Sequence, residues 1–182
     1  MSECPVEIYQ SANEFADFCK HIEAIPIKSI MEIGSMFGGT LWEWFHMFTP
    51  DYMYVIDMVV PESDSRYAHQ RHCHDVRWKE WAAASECELT IQETSSTEVR
   101  VPPDTMFNML FIDGDHTYEG VKSDYMLYRH MVNPGGIIVF HDISFGPESA
   151  WYGVQKLWNE IDGHKIEFVE TIGDRGIGVL HV

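Results

Sequence analysis

The feature that most constrains the fold is a regular alternation of short apolar runs with segments of helical periodicity. The apolar runs, each bounded by polar or turn-forming residues, are KSIMEIGS, DYMYVIDMVV, CELTIQETS, MFNMLFID and GGIIVFHD. Between them, segments such as GGTLWEWFHMF and GVKSDYMLYRHMV place apolar residues three and four positions apart, which is typical of one buried helical face. Apolar strands that alternate with helices predict an α/β fold, with a mostly parallel sheet covered by helices on both faces.

Both ends of the chain fit the same layered arrangement. Near the N-terminus, SANEFADFCKHIEAI predicts a helix that begins at a Ser or Asn suited to capping, with an apolar face formed by Phe15, Phe18, Ile22 and Ile25. At the other end, KIEFVETI and GIGVLHV are separated by the turn-like GDRG. These two runs predict an antiparallel pair that ends the sheet.

No internal repeat or flexible linker divides the 182 residues, and a hydrophobic content of 45% can fill one core. We therefore expect a single domain over residues 1–182, with residues 1–27 as an N-terminal helical extension. The stretch SRYAHQRHCHDVRWKEWAAAS predicts an irregular helix, and its place after the second strand suits a lid over residues 63–84. Its histidine-rich part matches no standard zinc spacing, so we expect these side chains to line a ligand pocket or face water: His69, His72, Cys73 and His74.

Charge and cysteine usage exclude several classes of partner. The chain carries 29 acidic and 12 basic side chains, a formal net charge of −17, which repels phosphate backbones and anionic lipid surfaces. It has no apolar run of about 20 residues and no basic-flanked apolar start. We therefore expect a cytoplasmic protein without a nucleic-acid or membrane partner. The cysteines form no CxxC pair and are expected to be reduced: Cys4, Cys19, Cys73 and Cys87.

Glycines and an acid surround the end of the first predicted strand, in MEIGSMFGGT. Ligands of parallel sheets bind beyond the carboxyl ends of the strands, and Gly34, Gly38 and Gly39 permit close approach to the backbone there. Met36 occupies the place of the second glycine of a dinucleotide fingerprint, so that fingerprint fails. The carboxylate of Glu32 would repel a pyrophosphate and suits an amine-bearing ligand better. In the alternative interpretation, the glycines only permit a tight strand-to-helix turn.

An acid also closes the second predicted strand. Asp57 ends YVID, where a carboxylate can accept hydrogen bonds from both hydroxyls of a ribose. Together with Glu32 and the glycine turn, Asp57 indicates a nucleoside that carries an amine rather than phosphates.

Acids and histidines follow the fourth and fifth predicted strands, at ends that should be neighbours in the sheet. They are Asp113, Asp115, His116, His141 and Asp142. Carboxylates and imidazoles held together suit a divalent cation, which could bind a hydroxyl and lower its pKa. An imidazole with an ordinary pKa of about 6.5 could also act as a base. In the alternative interpretation, Asp115 and His116 only cap the following turn.

Four motifs in this order and spacing resemble those of class I S-adenosylmethionine-dependent methyltransferases: MEIGSMFGGT, VIDMV, FIDGDHTYEGVKSD and NPGGIIVFHDI. More narrowly, they are similar to the group that includes cephalosporin-hydroxylase-like and macrolide-sugar O-methyltransferases. The resemblance extends from about Lys28 to Val182. It implies a Rossmann-like sheet of seven strands, mostly parallel, with the last strand antiparallel.

The resemblance also implies roles for residues at matching positions. The methionine part of S-adenosylmethionine would be surrounded by Glu32, Gly34, Ser35, Gly38 and Gly39. Asp57 would hold the ribose, and Thr94 and Ser95 would lie near the adenine.

At the reaction centre, the resemblance implies a divalent metal bound by Asp113, His141 and Asp142, with Asp113 also beside the cofactor. The nitrogen of His141 replaces an oxygen ligand of the relatives, and imidazole suits Mn²⁺, Fe²⁺ or Zn²⁺ better than Mg²⁺. His116 occupies the place of a lysine general base in catechol-type O-methyltransferases, so Asp113 and His116 are the predicted catalytic residues.

The sequence therefore predicts methylation of a hydroxyl on a small molecule or sugar, with S-adenosylmethionine as methyl donor and with divalent-metal assistance. Two alternatives stay open: a metal-independent methyltransferase with His116 as base, and a Rossmann-like binding domain without chemistry. A second subunit could complete the acceptor pocket, so a homo-oligomer is also left open.

Overall fold

The computed structural model describes residues 5–182, which contain a sheet of seven strands in the order β3-β2-β1-β4-β5-β7-β6. The strands are β1 Ser29–Ile33, β2 Tyr52–Ile56, β3 Glu88–Gln92, β4 Phe107–Ile112, β5 Val132–His141, β6 His164–Phe168 and β7 Ile177–His181. Neighbours from β3 to β5 run parallel, whereas β7 runs antiparallel to both β5 and β6. The predicted Rossmann-like sheet with an antiparallel last strand is confirmed.

Six α-helices lie among the described residues and pack on the two faces of this sheet. They are α1 Ala12–Ile22, α2 Gly39–Met47, α3 Tyr67–His72, α4 Trp78–Ala84, α5 Tyr118–Tyr128 and α6 Tyr152–Glu160. One hydrophobic cluster joins α1, α2 and α4 to the sheet, and a second joins α5 and α6 to the opposite face. Alternation within the strands supplies both clusters, since Met53 and Val55 of β2 face the first and Tyr54 and Ile56 face the second.

The start of α1 is tied to the loop between β6 and β7. Ser11 precedes α1 without capping it, because its hydroxyl donates to Glu170 at 2.7 Å, as the Asn13 amide does at 2.6 Å. In return, the buried carboxylate of Glu14 accepts hydrogen bonds from the backbone N–H groups of Glu170 and Gly176, at 2.7 and 3.3 Å. The chain that precedes α1 is thereby fixed near the carboxyl ends of the strands.

The fifth strand begins earlier than its apolar run predicts. The breaker Asn133-Pro134-Gly135 lies inside β5, which starts at Val132. The register shifts between Phe107 and Met109 of β4, so that several residues of β5 face a single residue of its neighbour. This irregularity accommodates the proline and the positive φ of 83° at Gly135 within the strand.

The predicted irregular helix of residues 63–84 consists of α3 and α4 joined by a π-helical turn, Cys73–Arg77. Cys73 and His74 are fully buried, so the expectation that they line a ligand pocket or face water is wrong. Trp78, the first residue of α4, is also fully buried, and its Nε1 donates to the backbone carbonyl of Phe37 at 3.1 Å. That this segment opens and closes as a lid stays a prediction.

No helix within residues 5–182 combines the length and the apolar character that a bilayer crossing requires. Of the four cysteines, Cys19, Cys73 and Cys87 are free thiols, and Cys4 lies outside the described residues. The extent of the N-terminal extension and the single-domain boundary stay predictions.

We expect Phe18→Ala to destabilise the protein by about 3 to 5 kcal/mol, because truncation of a buried phenylalanine leaves a cavity. The Phe18 ring is fully buried, with Trp44, Phe111 and Phe168 at centroid distances of 6.1, 6.5 and 6.0 Å. The free energy of unfolding, measured by urea titration, checks this. The control is Met126→Ala, at an exposed position of α5, which should change stability by less than about 0.5 kcal/mol. Equal effects of both substitutions would contradict the packing.

Candidate active site

A cavity of about 610 Å³ opens at the carboxyl ends of the strands. Its walls come from the ends of β1, β2, β4 and β5, from the loop after β3 and from the segment that precedes α1. The structure brings most of the predicted site residues to this cavity: Gly34, Ser35, Gly39, Asp57, Thr94, Ser95, Asp113, His116, His141 and Asp142. Two predicted residues, Glu32 and Gly38, lie behind its surface.

Two carboxylates and two imidazoles converge on one side of the cavity. Because β4 and β5 are parallel neighbours, Asp113 after β4 lies beside His141 and Asp142 at the end of β5. His116 Nε2 lies 2.8 Å from Asp142 Oδ2 and 3.3 Å from Asp113 Oδ1. His141 Nδ1 lies 3.1 Å from Asp113 Oδ1, and one ligand atom from each of the four residues falls within 4.8 Å of the others.

The four groups stabilise one another's charged forms. Loss of hydration raises the pKa of Asp113, but His141 and His116 beside it lower that pKa to about 2. Burial lowers the pKa of His116, yet its hydrogen bonds to Asp113 and Asp142 raise that pKa to about 10. Two carboxylates thus hold protons on neighbouring imidazoles. A divalent cation bound by the same atoms would replace those protons, since metal ligands must be deprotonated.

The residues of this cluster fit a metal ion. Asp142 is held at a left-handed φ of 64°, a strained conformation for a residue with a side chain. Its buried Oδ1 has no hydrogen-bond partner among residues 5–182, although His141 Nδ1 lies 3.3 Å away in poor alignment. A set of two carboxylates and two imidazoles suits Mn²⁺, Fe²⁺ or Zn²⁺.

Gln10 reaches the cluster from the segment before α1, and sequence reasoning missed it. Its amide Nε2 donates to Asp113 Oδ2 at 3.1 Å, and the residue is only 8% exposed. Nearby, the backbone carbonyl of Glu7 covers Gly39, where an added Cβ would meet it at 2.5 Å. No local pattern distinguishes a polar residue before a helix from an ordinary surface residue, and 103 positions separate Gln10 from Asp113.

Asp57 carries protein donors on both carboxylate oxygens. The backbone N–H of Ser35 donates to Oδ1 at 3.1 Å, and Oδ2 receives Gln70 Nε2 at 3.0 Å and His74 Nε2 at 2.9 Å. His74 Nδ1 in turn lies 3.3 Å from Glu93 Oε1. A carboxylate has about four acceptor positions, so Asp57 Oδ1 keeps one for a ligand. The predicted contact of Asp57 with a ribose stays a prediction.

Glu32 is fully buried under the glycine turn and does not reach the cavity. Ser35 Oγ and Thr40 Oγ1 donate to its Oε1 at 2.8 and 2.6 Å, and Trp44 Nε1 donates to its Oε2. Burial raises the pKa of Glu32 to about 7, although these three hydrogen bonds oppose the rise. Its predicted contact with the methionine part of a cofactor stays a prediction. In the structure, Glu32 stabilises the glycine turn through its hydrogen bonds with Ser35 and Thr40.

Two glycines of the turn are required by the protein's own packing. Gly34 has a φ of 82°, and a Cβ there would collide with the backbone carbonyl of Asp113. Gly38 has a φ of 83°, and a Cβ there would collide with the indole of Trp78. At Gly38 these contacts agree with the tight-turn interpretation, and its predicted place beside a cofactor stays a prediction. Gly34 brings β1 against the end of β4 and also lines the cavity.

The loop after β3 places Thr94 and Ser95 on the cavity wall. Asp124 of α5 lies beside them, 2% exposed, and accepts a hydrogen bond from Ser96 Oγ. Burial raises the pKa of Asp124 to about 6. Helical spacing could have identified this residue, since it falls on the buried face of α5 between Val121 and Tyr128.

Two further side chains border the mouth of the cavity near His116. Trp151 is 48% exposed, and its ring centroid lies 5.6 Å from that of His116 and 4.9 Å from that of Phe145. Arg175 also lines the cavity, with a carboxylate oxygen of Asp174 4.0 Å away. An aromatic ring therefore lies next to the cluster, and a weakly paired cation contributes to the cavity wall.

Comparison with known proteins adds a family and a fold. A family model described as "Methyltransferase domain" matches residues 31–143, more than half of the chain. Among curated proteins, the uncharacterized protein R132 of Acanthamoeba polyphaga mimivirus is 57% identical over 35 residues, which cover 19% of this chain and 16% of that protein. This match therefore spans well under two thirds of that relative's length.

Solved structures share the fold at low identity. The O-methyltransferase TomG of Streptomyces achromogenes, involved in tomaymycin synthesis and solved with S-adenosylmethionine, is 17% identical with a TM-score of 0.63 over 94% of this chain and 81% of that chain. The O-methyltransferase of Bacillus cereus, solved with S-adenosylhomocysteine, is 14% identical with a TM-score of 0.62 over 97% and 83%. CalS11, a TDP-rhamnose 3'-O-methyltransferase of calicheamicin biosynthesis, is 13% identical with a TM-score of 0.65 over 94% and 80%.

We expect Glu32 to make the folded protein less stable as the pH rises from 4.5 to about 7. The ordinary pKa of 4.5 rises to about 7 in the fold, so between these values the folded state binds more protons than the unfolded state. Glu32→Gln removes this titration and keeps the shape. Relative to that variant, the wild type should lose on the order of 3 kcal/mol between pH 5 and pH 8.

Urea titrations at both pH values give the two free energies of unfolding. Glu80→Gln, at an exposed position of α4, is the control and should follow the wild type at both pH values. If the free energies of unfolding of the wild type and of Glu32→Gln differed by the same amount at pH 5 and pH 8, the buried carboxyl would keep an ordinary pKa.

Proposed function

We propose that the chain, which belongs to the methyltransferase domain family, uses S-adenosylmethionine to methylate a hydroxyl of a small molecule or sugar with divalent-metal assistance. One observation carries the proposal: the cluster of Asp113, His116, His141 and Asp142 borders the same cavity as the glycine turn and Asp57. Family membership counts against the alternative of a binding domain without chemistry.

The cavity suits the cofactor in its volume and in the arrangement of the residues that line it. A volume of about 610 Å³ falls within the usual range for small-molecule sites. In our proposal, Gly34, Ser35 and Gly39 surround the methionine part and Asp57 binds the ribose. The adenine then lies between the loop that carries Thr94 and the helix α5. Two of the structural neighbours were solved with S-adenosylmethionine or S-adenosylhomocysteine, which supports this assignment of the cavity.

Asp113, His141 and Asp142 would hold the metal, which would act as a Lewis acid and lower the pKa of an acceptor hydroxyl. Methyl transfer is an in-line displacement, so the remaining task of the protein is to align the acceptor oxygen with the methyl carbon. Trp151 and the neighbouring Phe145 offer aromatic surface for an acceptor ring beside the cluster. The O-methyltransferases among the structural neighbours support a hydroxyl acceptor.

A metal-independent mechanism is the second candidate, and the position of His116 favours it. Its Nε2 lies between Asp113 and Asp142, and the imidazole lines the cavity. These carboxylates would stabilise the imidazolium that forms when His116 accepts the proton of the acceptor hydroxyl. In the structure the same carboxylates raise the pKa of His116, so the imidazole must first lose a proton.

The cofactor assignment predicts that the wild type binds S-adenosylhomocysteine with a micromolar dissociation constant in calorimetry. Asp57→Asn should weaken binding about tenfold or more, because an amide replaces one oxygen of a carboxylate that would hold the ribose. Asp104→Asn, at an exposed loop position, is the matched control and should bind like the wild type. Absence of binding to the wild type would overturn the proposed cofactor site.

The metal assignment predicts that the protein binds Mn²⁺, measured by loss of the free-ion signal in electron paramagnetic resonance. Asp142→Asn should weaken Mn²⁺ binding by at least about tenfold, since it removes a ligand. Asp115→Asn is the matched control, because this carboxylate lies in the same loop but caps Thr117 N–H at 2.9 Å. Equal Mn²⁺ binding by both variants, or methyl transfer that survives exhaustive chelation, would favour the metal-independent mechanism.

A further inference from the structure

Three histidines from three different elements meet at the edge of the sheet that carries β6 and β7. His21 is the penultimate residue of α1, His164 begins β6, and His181 ends β7. The Nε2 atoms of His21 and His181 lie 3.3 Å apart, and their rings are nearly perpendicular at 88°. The ring of His164 stacks on that of His181, with centroids 4.8 Å apart. These three histidines form the edge cluster.

We propose that the edge cluster binds a divalent transition-metal cation through Nε2 of His21 and Nε2 of His181. Zinc–nitrogen bonds of about 2.0–2.1 Å at a tetrahedral angle place two nitrogen ligands roughly 3.3 Å apart. The observed separation of the two Nε2 atoms equals this value. His164 is exposed, so its side chain can turn toward the ion as a third ligand, and water completes the coordination.

The chemistry of the edge cluster selects the kind of cation. A set of imidazoles without carboxylates suits Zn²⁺, Cu²⁺ or Ni²⁺ and disfavours Mg²⁺ and Ca²⁺. Burial lowers the pKa of His181, and His164 and His21 beside it lower that pKa further. This lowering favours the neutral imidazole of His181, which is the form that coordinates a metal.

The edge cluster is separate from the cluster of Asp113, His116, His141 and Asp142. In the β5–β7 ladder, His141 pairs with Ile177 and Ile137 pairs with His181, so the two places are four positions apart along β7. Four residues of a strand span roughly 13 Å. A metal at the edge cluster would join the end of α1 to β7. The other end of α1 leads to Gln10 and its hydrogen bond to Asp113, and the inference holds whether or not the proposed reaction is correct.

Calorimetric titration of the full chain with Zn²⁺ tests the inference. We expect His21→Gln and His181→Gln each to weaken one Zn²⁺ site by about tenfold or more, as loss of a ligand requires. His130→Gln, an exposed histidine after α5, is the matched control and should keep the site. Asp142→Asn should keep it as well, which distinguishes the edge cluster from the cluster that contains Asp142. Isotherms of His21→Gln and His181→Gln that equal the wild type would overturn the inference.

A measurement on the wild type decides the question even where a variant fails to fold. Long-range proton–nitrogen correlation spectra report each histidine ring, and Zn²⁺ should change the Nε2 chemical shifts of His21 and His181 together as the ion is added. Ring signals of these two residues that stay unchanged at excess Zn²⁺ would contradict the site.

Discussion

The pairing of buried charges at the ends of β4 and β5 is the interaction on which the rest of the site depends. A carboxylate with little access to water is costly unless opposite charge and hydrogen bonds compensate it. Asp113 and Asp142 meet this requirement because the imidazoles of His116 and His141 lie within hydrogen-bond distance of them. The parallel β4–β5 ladder produces that closeness, so the fold that forms the sheet also assembles the charges.

The surroundings of the cluster are built to keep this geometry. Gly34 lets the end of β1 approach Asp113 closely. The backbone carbonyl of Asp113 occupies the space that a Cβ on residue 34 would need. On the other side, Gln10 donates to the same carboxylate, and Glu14 fixes the helix that follows Gln10 to the loop before β7. The segment before α1 is therefore part of the cavity wall.

The sequence predicted the features that local chemistry determines. Alternating apolar runs identified the strands, and the rule that ligands bind at carboxyl ends selected Asp57, Asp113 and the His141-Asp142 pair. Periodicity could not reveal contacts between distant segments, such as Gln10 with Asp113 or His74 with Asp57, which are 103 and 17 residues apart. The histidine-rich sequence around His74 predicts an exposed side chain, and only the π-helical turn Cys73–Arg77 explains why His74 is buried.

The direction in which a side chain points was the hardest property to predict. Glu32 belongs to a strand whose residues alternate between the two faces, and sequence placed it correctly at the ligand end of β1. Its carboxylate nevertheless turns away from the cavity, because Ser35, Thr40 and Trp44 offer three donors in the protein interior. The hydrogen bonds from Thr40 and Trp44 form only when α2 packs on the sheet. The orientation of Glu32 is therefore a consequence of tertiary structure. A buried acid that supports the turn can thus influence a ligand through Ser35, whose backbone N–H also binds Asp57.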